Sequence, residues 1–170
     1  MERSTTADNP ANSPASVLVS ACLLGVCCRY DGGTRPDRRL VEALEREGRR
    51  IVPVCPEQLG GLPTPRAPAE ITRGDGRDVL AGGAKVIDVD GADVTTEHVR
   101  GARAVLHIAR LLGCGRAYLQ EKSPACGVRT IKRGGETRPG MGVTAALLES
   151  SGIRLFGVGS DCSGAAQVRE

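Results

Sequence analysis

The chain has 170 residues, of which 40% are apolar and only 2% aromatic, and its 23 basic and 20 acidic side chains leave a formal net charge of +3. That length and apolar content suit one domain around one aliphatic core. The balanced charge and the scarcity of aromatic rings argue against a nucleic-acid partner. No apolar run approaches the roughly 20 residues that span a bilayer, which argues against a membrane partner.

The N-terminal segment is polar and contains Pro10 and Pro14, without the apolar stretch of a secretory signal. We therefore predict a disordered leader over residues 1–16, an ordered domain over 17–160 and a C-terminal tail over 161–170. A chain without a secretory signal is expected in the cytoplasm, where thiols stay reduced.

Short aliphatic strands alternate with amphipathic helices along the ordered part. In chain order, the predicted elements are a strand over 17–21, a helix over 37–47, a strand over 51–54, a β-hairpin over 78–89, a helix over 95–112, a strand over 116–120, a helix over 142–150 and a strand over 153–158. Pro53 favours an edge position or an irregular end for the second strand, because proline cannot donate to a central ladder. The order predicts a single α/β domain, with a mostly parallel sheet, helices on both faces and a small β-hairpin insertion.

Seven cysteines are present, an odd number that favours metal binding or thiol chemistry over a disulfide scaffold in a reducing compartment. Cys22 and Cys55 directly follow predicted strands, and Cys126 lies six residues beyond the strand over 116–120. Ligands of an open parallel sheet bind beyond the carboxyl ends of its strands. The predicted topology therefore places three thiols at one edge of the sheet.

Iron–sulfur clusters are the first candidate ligand, because cysteine thiolates hold them. Zinc is the alternative, but the chain has no Cys-x-x-Cys pair, and His98 and His107 lie nine residues apart in one predicted helix, a poor spacing for ligands. A nucleophilic thiol would need a nearby base, and neither histidine is placed as one. A cluster on three thiolates would leave one iron open as a Lewis acid.

Polar side chains accompany two of these thiols. Glu57 follows Cys55 by two residues, and Ser123 precedes Cys126 by three. Each side chain can act on a substrate in the crevice or cap a loop, and spacing alone does not decide between these roles. Among the other cysteines, Cys27 and Cys28 are close to Cys22 in sequence, Cys114 is interpreted as a small buried residue, and Cys162 would close a cluster if it were a fourth ligand.

Six sequence segments occur in the order typical of one bacterial family. They are Val19–Gly25 (VSACLLG), Arg29–Gly33 (RYDGG), Pro53–Glu57 (PVCPE), Leu59–Arg66 (LGGLPTPR), Lys122–Gly127 (KSPACG) and Gly140–Ala146 (GMGVTAA). Together these segments, which extend over most of the ordered chain, resemble the thiouracil desulfidase family, first described as domain of unknown function 523.

The resemblance implies a [4Fe–4S] cluster held by Cys22, Cys55 and Cys126, with Glu57 and Ser123 acting on the substrate. The expected reaction converts a small thiolated pyrimidine to its oxo form without net redox change. In that scheme the substrate sulfur binds the open iron, Glu57 activates water or shuttles a proton, and Ser123 orients the reactants.

The sequence leaves two other functional hypotheses open. The chain could be a non-catalytic module in which a closed cluster or a zinc ion braces the fold or senses redox state. It could also act on thiolated bases within RNA, a function that predicts a basic groove of which the composition gives no sign.

Overall fold

The computed structural model describes residues 15–159. Within them, the strands are β1 (Ser16–Ser20), β2 (Arg50–Val54), β3 (Ala69–Ile71), β4 (Val86–Asp88), β5 (Arg116–Gln120), β6 (Thr130–Arg133), β7 (Glu136–Pro139) and β8 (Arg154–Val158). The helices are a 3-10 helix over Ala21–Leu24, α1 (Arg38–Arg46), α2 (Pro56–Leu59), α3 (Gly76–Leu80), α4 (Thr95–Leu111) and α5 (Val143–Ser150). The predicted tail, with Cys162, and nearly all of the predicted leader lie outside the described residues. Ser16, assigned above to the leader, begins β1.

Strands β2, β1, β5 and β8 form, in that order, a parallel sheet. The α/β prediction is thereby confirmed, and β2 is an edge strand, as Pro53 indicated. Pro53 pairs in register with Val19 of β1 and contributes no N–H donor to the ladder.

Helices cover both faces of the sheet. Successive side chains of β1 point to opposite faces, so this strand packs against helices on each side. Val17 and Val19 pack in one buried cluster with Leu44 of α1. Leu18, between them, packs in a second cluster that contains Val105 of α4 and Leu148 of α5. Removing one such aliphatic side chain from water contributes about 1.5–3 kcal/mol to folding. These two clusters therefore hold the helices against the two faces of the sheet.

The predicted β-hairpin over 78–89 is wrong in its first half. Asp75 and Asp78 form a capping box: Asp75 Oδ1 accepts a hydrogen bond from Arg77 N, and Asp78 Oδ2 accepts one from Asp75 N. This pair nucleates α3 where a strand was expected. The hairpin insertion does exist, but it pairs β3 antiparallel with β4, and Ile71 lies opposite Val86.

A second antiparallel hairpin, β6–β7, occupies part of the predicted loop over 121–138. Gly134 and Gly135 form its turn, and both have positive φ, at 63° and 76°. Positive φ at both central residues is the geometry that suits the twist of a tight hairpin, and glycine adopts it without strain. The flanking strands carry few apolar residues, so their alternation was not recognised in the sequence.

None of the helices within residues 15–159 is both long and apolar enough to cross a membrane.

Candidate active site

A cleft opens at the carboxyl edge of the parallel sheet, where side chains from the strand ends and the loops that follow them line it. The ends of two central strands are joined there, because Gln120 N of β5 donates a 3.1 Å hydrogen bond to Ser20 Oγ of β1. The cleft is lined by the three thiols that follow the strands, those of Cys22, Cys55 and Cys126. The structure therefore brings these three distant cysteines into one place.

Each thiol is placed by a different local feature. Cys22 lies in the 3-10 helix, and its carbonyl oxygen accepts hydrogen bonds from Thr34 Oγ1 at 3.0 Å and Arg35 N at 2.9 Å. Cys55 is the N-cap residue of α2, with a proline at the first helical position, where the missing N–H costs nothing. Cys126 is buried in a turn between β5 and β6.

A fourth cysteine, Cys28, also lines the cleft and is only 2% exposed. Its carbonyl oxygen accepts a 3.7 Å hydrogen bond from the thiol of Cys55. The neighbouring thiol of Cys22, together with burial, raises the pKa of Cys28 to about 11, and the thiol of Cys55 opposes this shift. The sequence showed only that Cys27 and Cys28 are close to Cys22 along the chain. In the structure Cys28 is buried in the cleft and Cys27 is exposed.

Two further site thiols also favour their protonated forms. The neighbouring thiol of Cys28, and then burial, raise the pKa of Cys55, and burial raises the pKa of Cys126. Metal binding to such thiols displaces their protons. Among residues 15–159, no three His, Cys, Asp or Glu side chains are arranged as ligands of one metal ion.

Glu57 projects from the first turn of α2 into the cleft. Its Oε2 accepts a 2.6 Å hydrogen bond from Arg66 Nη2, and the Arg66 side chain is only 5% exposed. Nη1 of the same guanidinium donates to the carbonyl oxygen of Cys28 at 3.1 Å. Arg66 therefore ties the carboxylate of Glu57 to the segment that carries Cys28.

Ser123 caps the turn that holds Cys126. Loop capping was one of the two roles that its position in the sequence suggested. Its Oγ accepts hydrogen bonds from Ala125 N at 3.1 Å and Cys126 N at 3.0 Å. A hydroxyl oxygen has two acceptor lone pairs, and both are used here. Ser123 also lines the cleft. Its hydroxyl group can still donate a hydrogen bond to a molecule bound there.

The loop that carries Ser123 and Cys126 is organised by a buried carboxylate that sequence reasoning missed. Glu121 is 8% exposed and accepts hydrogen bonds from Val128 N at 3.2 Å, Thr130 N at 3.0 Å and Thr130 Oγ1 at 3.0 Å. The only local signal is an acidic residue directly after a strand, which is too common to identify this role.

Two further side chains give the cleft its polar and aromatic character. Gln120 Nε2 donates to the carbonyl oxygen of Glu121 at 3.2 Å, while its buried Oε1 has no hydrogen-bond partner. Tyr30 is 42% exposed at the cleft, and the Arg29 guanidinium lies 5.6 Å from its ring centroid. The lining of the cleft therefore includes one side-chain amide and one aromatic ring.

His98, which the sequence does not connect with the site, lies behind Glu57. Its side chain is fully buried, and its Nε2 is 3.8 Å from Glu57 Oε1. His107, on the same helix, is exposed and far along α4 from this contact. No sequence signal could relate His98 to Glu57, because 41 residues and two strands separate them.

Comparisons with known proteins identify the family of the chain. The family model described as 2-thiouracil desulfurase matches residues 17–158. The uncharacterized protein YbbK of Bacillus subtilis (strain 168) is 42% identical over 143 residues, which cover 82% of this chain and 93% of that protein. A solved structure of a [4Fe–4S]-dependent thiouracil desulfidase, TudS, is similar with a TM-score of 0.73 and 41% identity, over 84% of this chain and 90% of that chain. The chain thus belongs to the 2-thiouracil desulfurase family of enzymes.

Proposed function

We propose that this protein is a [4Fe–4S]-dependent desulfidase that converts a small thiolated pyrimidine to its oxo form. In balanced form, the thiocarbonyl group and one water give the carbonyl group and hydrogen sulfide, so no external oxidant or reductant takes part. The observation that carries the proposal is a single cleft lined by Cys22, Cys55 and Cys126 together with Glu57 and Ser123. The cofactor and reaction of the similar TudS protein support it.

The donor set of the cleft fits an iron–sulfur cluster. Thiolates are the ligands of such clusters, and the cleft collects thiols from separate loops. Cys22, Cys55 and Cys126 would hold such a cluster from separate loops, without converging on one point as the ligands of a single metal ion would. We assign the ligand role to Cys22, Cys55 and Cys126. When bound, the cluster supplies a Lewis-acidic iron to the substrate sulfur.

Glu57 is assigned the proton transfers. Arg66 occupies one lone pair of Oε2, and a carboxylate has about four such sites, so lone pairs remain free to take a proton from water. The same carboxyl group can then return the proton to the departing sulfur. A carboxylate held by a buried guanidinium keeps one orientation throughout, which is the requirement for efficient proton transfer.

We assign Ser123 and Gln120 the role of orienting the substrate and the attacking water. Because both lone pairs of Ser123 Oγ are taken by backbone donors, its hydroxyl can only donate, either to water or to a ring oxygen. Gln120 Oε1 is a buried acceptor without a partner. A thiouracil ring carries N–H donors next to its thiocarbonyl group, so it would satisfy this acceptor and remove the cost of leaving it unpaired.

A free base is favoured over a polymer as the substrate, because the chain's balanced charge does not indicate a phosphate-binding groove. The six cysteines within residues 15–159 are all free, which supports the proposed cytoplasmic, reducing location.

Anaerobic reconstitution of the full chain, followed by incubation with 2-thiouracil or 4-thiouracil, tests the proposal. We expect sulfide and uracil to form in equal amounts without added reductant. The matched variant Glu57→Gln should retain iron and acid-labile sulfide at native levels and lose turnover by at least about 100-fold. A fully loaded native protein that releases no sulfide from either base would refute the function. Normal turnover in the variant would refute only the role of Glu57.

A further inference from the structure

Tyr30 is the aromatic residue of the cleft, and it differs from the other two aromatic residues of the chain in its surroundings. Tyr118 and Phe156 stack on each other across paired strands of the parallel sheet, with their ring centroids 4.8 Å apart. Tyr30 is instead 42% exposed and lines the cleft together with the buried thiols. An exposed aromatic ring beside a cleft is a candidate contact for a ligand, because aromatic side chains commonly line small-molecule sites.

Backbone hydrogen bonds fix the turn that carries Tyr30. Gly32 N donates to the carbonyl oxygen of Arg29 at 2.9 Å, and Arg66 N donates to the carbonyl oxygen of Tyr30 at 2.8 Å. The guanidinium of the same Arg66 binds Glu57 Oε2. One buried residue therefore ties the backbone of Tyr30 to the carboxylate assigned the proton transfers, and a ligand contact at Tyr30 would be held in a fixed relation to that carboxylate.

The Tyr30 ring has one face available for a ligand. The Arg29 guanidinium lies 5.6 Å from the ring centroid, and a cation–π contact of this kind uses a single face. A thiolated pyrimidine is a flat, conjugated ring, and such rings stack on aromatic side chains regardless of which polar groups they carry. The exposed tyrosine and the proposed substrate therefore match in shape.

We infer that Tyr30 is the stacking platform for the pyrimidine ring, and that the cleft thereby selects thiolated compounds with planar, conjugated rings over saturated ones. The inference rests on the proposed function for the identity of its ligand. It adds to that function a binding residue and a limit on the substrate class.

The dihydro form of 2-thiouracil is the matched probe for this selection. It keeps the thiocarbonyl group and both N–H groups, but its saturated carbon–carbon bond removes the flat conjugated ring. The measured quantity is kcat/KM for 2-thiouracil divided by kcat/KM for the dihydro compound. Any difference in intrinsic reactivity between the two compounds cancels when this ratio is compared between the native protein and a variant.

Two variants separate stacking from the other properties of Tyr30. In Tyr30→Leu the ratio should fall by about 3- to 10-fold, because leucine keeps an apolar side chain but has no aromatic face. In Tyr30→Phe the ratio should stay within about twofold of native, because only the hydroxyl group is lost. Iron and acid-labile sulfide are measured in each protein. An unchanged ratio in Tyr30→Leu at equal iron content would overturn the inference, and so would an equal fall in both variants, which would assign the effect to the hydroxyl group.

A binding measurement keeps this test independent of turnover. If the native protein releases no sulfide from 2-thiouracil, the proposed function fails, and equilibrium dialysis of both compounds against the reconstituted full chain decides the role of Tyr30. Tyr30→Leu should then weaken the binding of 2-thiouracil by about 3- to 10-fold more than the binding of the dihydro compound. Equal losses for the two compounds, or no binding of 2-thiouracil to the native protein, would show that Tyr30 is not a stacking platform.

Discussion

Gly60 and Gly101 face each other where α2 crosses α4, and neither residue has room for a Cβ atom. The added atom would overlap backbone carbonyl groups, which cannot move aside as a flexible side chain would. This contact holds α2, which carries Glu57, against α4, which carries His98. The geometry of the site therefore depends on two residues that have no side chain.

We expect Gly101→Ala to destabilise the protein by about 1–3 kcal/mol, because the new methyl group forces the two helices apart. Denaturant unfolding measures the change. Gly115→Ala is the matched control, since nothing lies within 4 Å of its added Cβ, and it should change stability by no more than about 0.5 kcal/mol. Equal stability of the two variants would show that α2 and α4 can separate freely.

Serine substitutions of the cysteines test the proposed ligands. Cys22→Ser, Cys55→Ser and Cys126→Ser should each lose most of the bound iron, because a hydroxyl is a poor replacement for a thiolate ligand. Cys27→Ser, at an exposed position, should retain native iron. Iron content after anaerobic reconstitution is the measurement.

Cys28→Ser is the decisive variant of this series, since Cys28 lies in the same cleft. The proposed ligand set predicts that it keeps its iron. Loss of iron in Cys28→Ser, with retention in one of the three others, would exchange Cys28 for that residue as a ligand.

Arg66→Lys should impair both folding and turnover. An ammonium group cannot span Glu57 Oε2 and the carbonyl oxygen of Cys28 as the planar guanidinium does. We expect a loss of about 1–3 kcal/mol and a kcat lower by about 10-fold. Arg103→Lys, at an exposed position of α4, is the control and should leave both unchanged. A native kcat in Arg66→Lys would mean that Glu57 needs no such support.

Ser123→Ala and Ser123→Thr distinguish the capping role from the proposed catalytic role. Alanine leaves Ala125 N and Cys126 N without their acceptor and should cost about 1 kcal/mol, whereas threonine keeps a hydroxyl. Turnover should fall with alanine and be largely retained with threonine. Stability lost without any change in turnover, at equal iron content, would leave Ser123 only its structural role.

Glu121→Ala tests how the loop around Cys126 is held. Removing the carboxylate leaves the buried Val128 N without its acceptor, and Thr130 N also loses its partner, so we expect a loss of about 2 kcal/mol or more. Iron retention should fall as well, because Cys126 belongs to this loop. Glu136→Ala, on the exposed strand β7, should change neither quantity. The prediction fails if the two variants behave alike.

Much of the sheet could be predicted from the sequence because its signals are local. Strand β5 was predicted with its observed bounds, and α4 to within one residue. The carboxyl ends of parallel strands share an edge, so the meeting of Cys22, Cys55 and Cys126 followed from topology. Local signals also misled: a hairpin was predicted over 78–89, yet the capping box at Asp75 started a helix there.

The sequence by itself determined the alternation of strands and helices, and with it the edge at which the cysteines collect, since periodicity and strand direction are properties of short segments. Only the tertiary structure decided which groups meet behind that edge. The burial of Cys28, the hold of Arg66 on Glu57 and the approach of His98 all depend on how loops fold back and how closely two helices pack. Such contacts join residues far apart in the chain, and no local pattern encodes the distance between them.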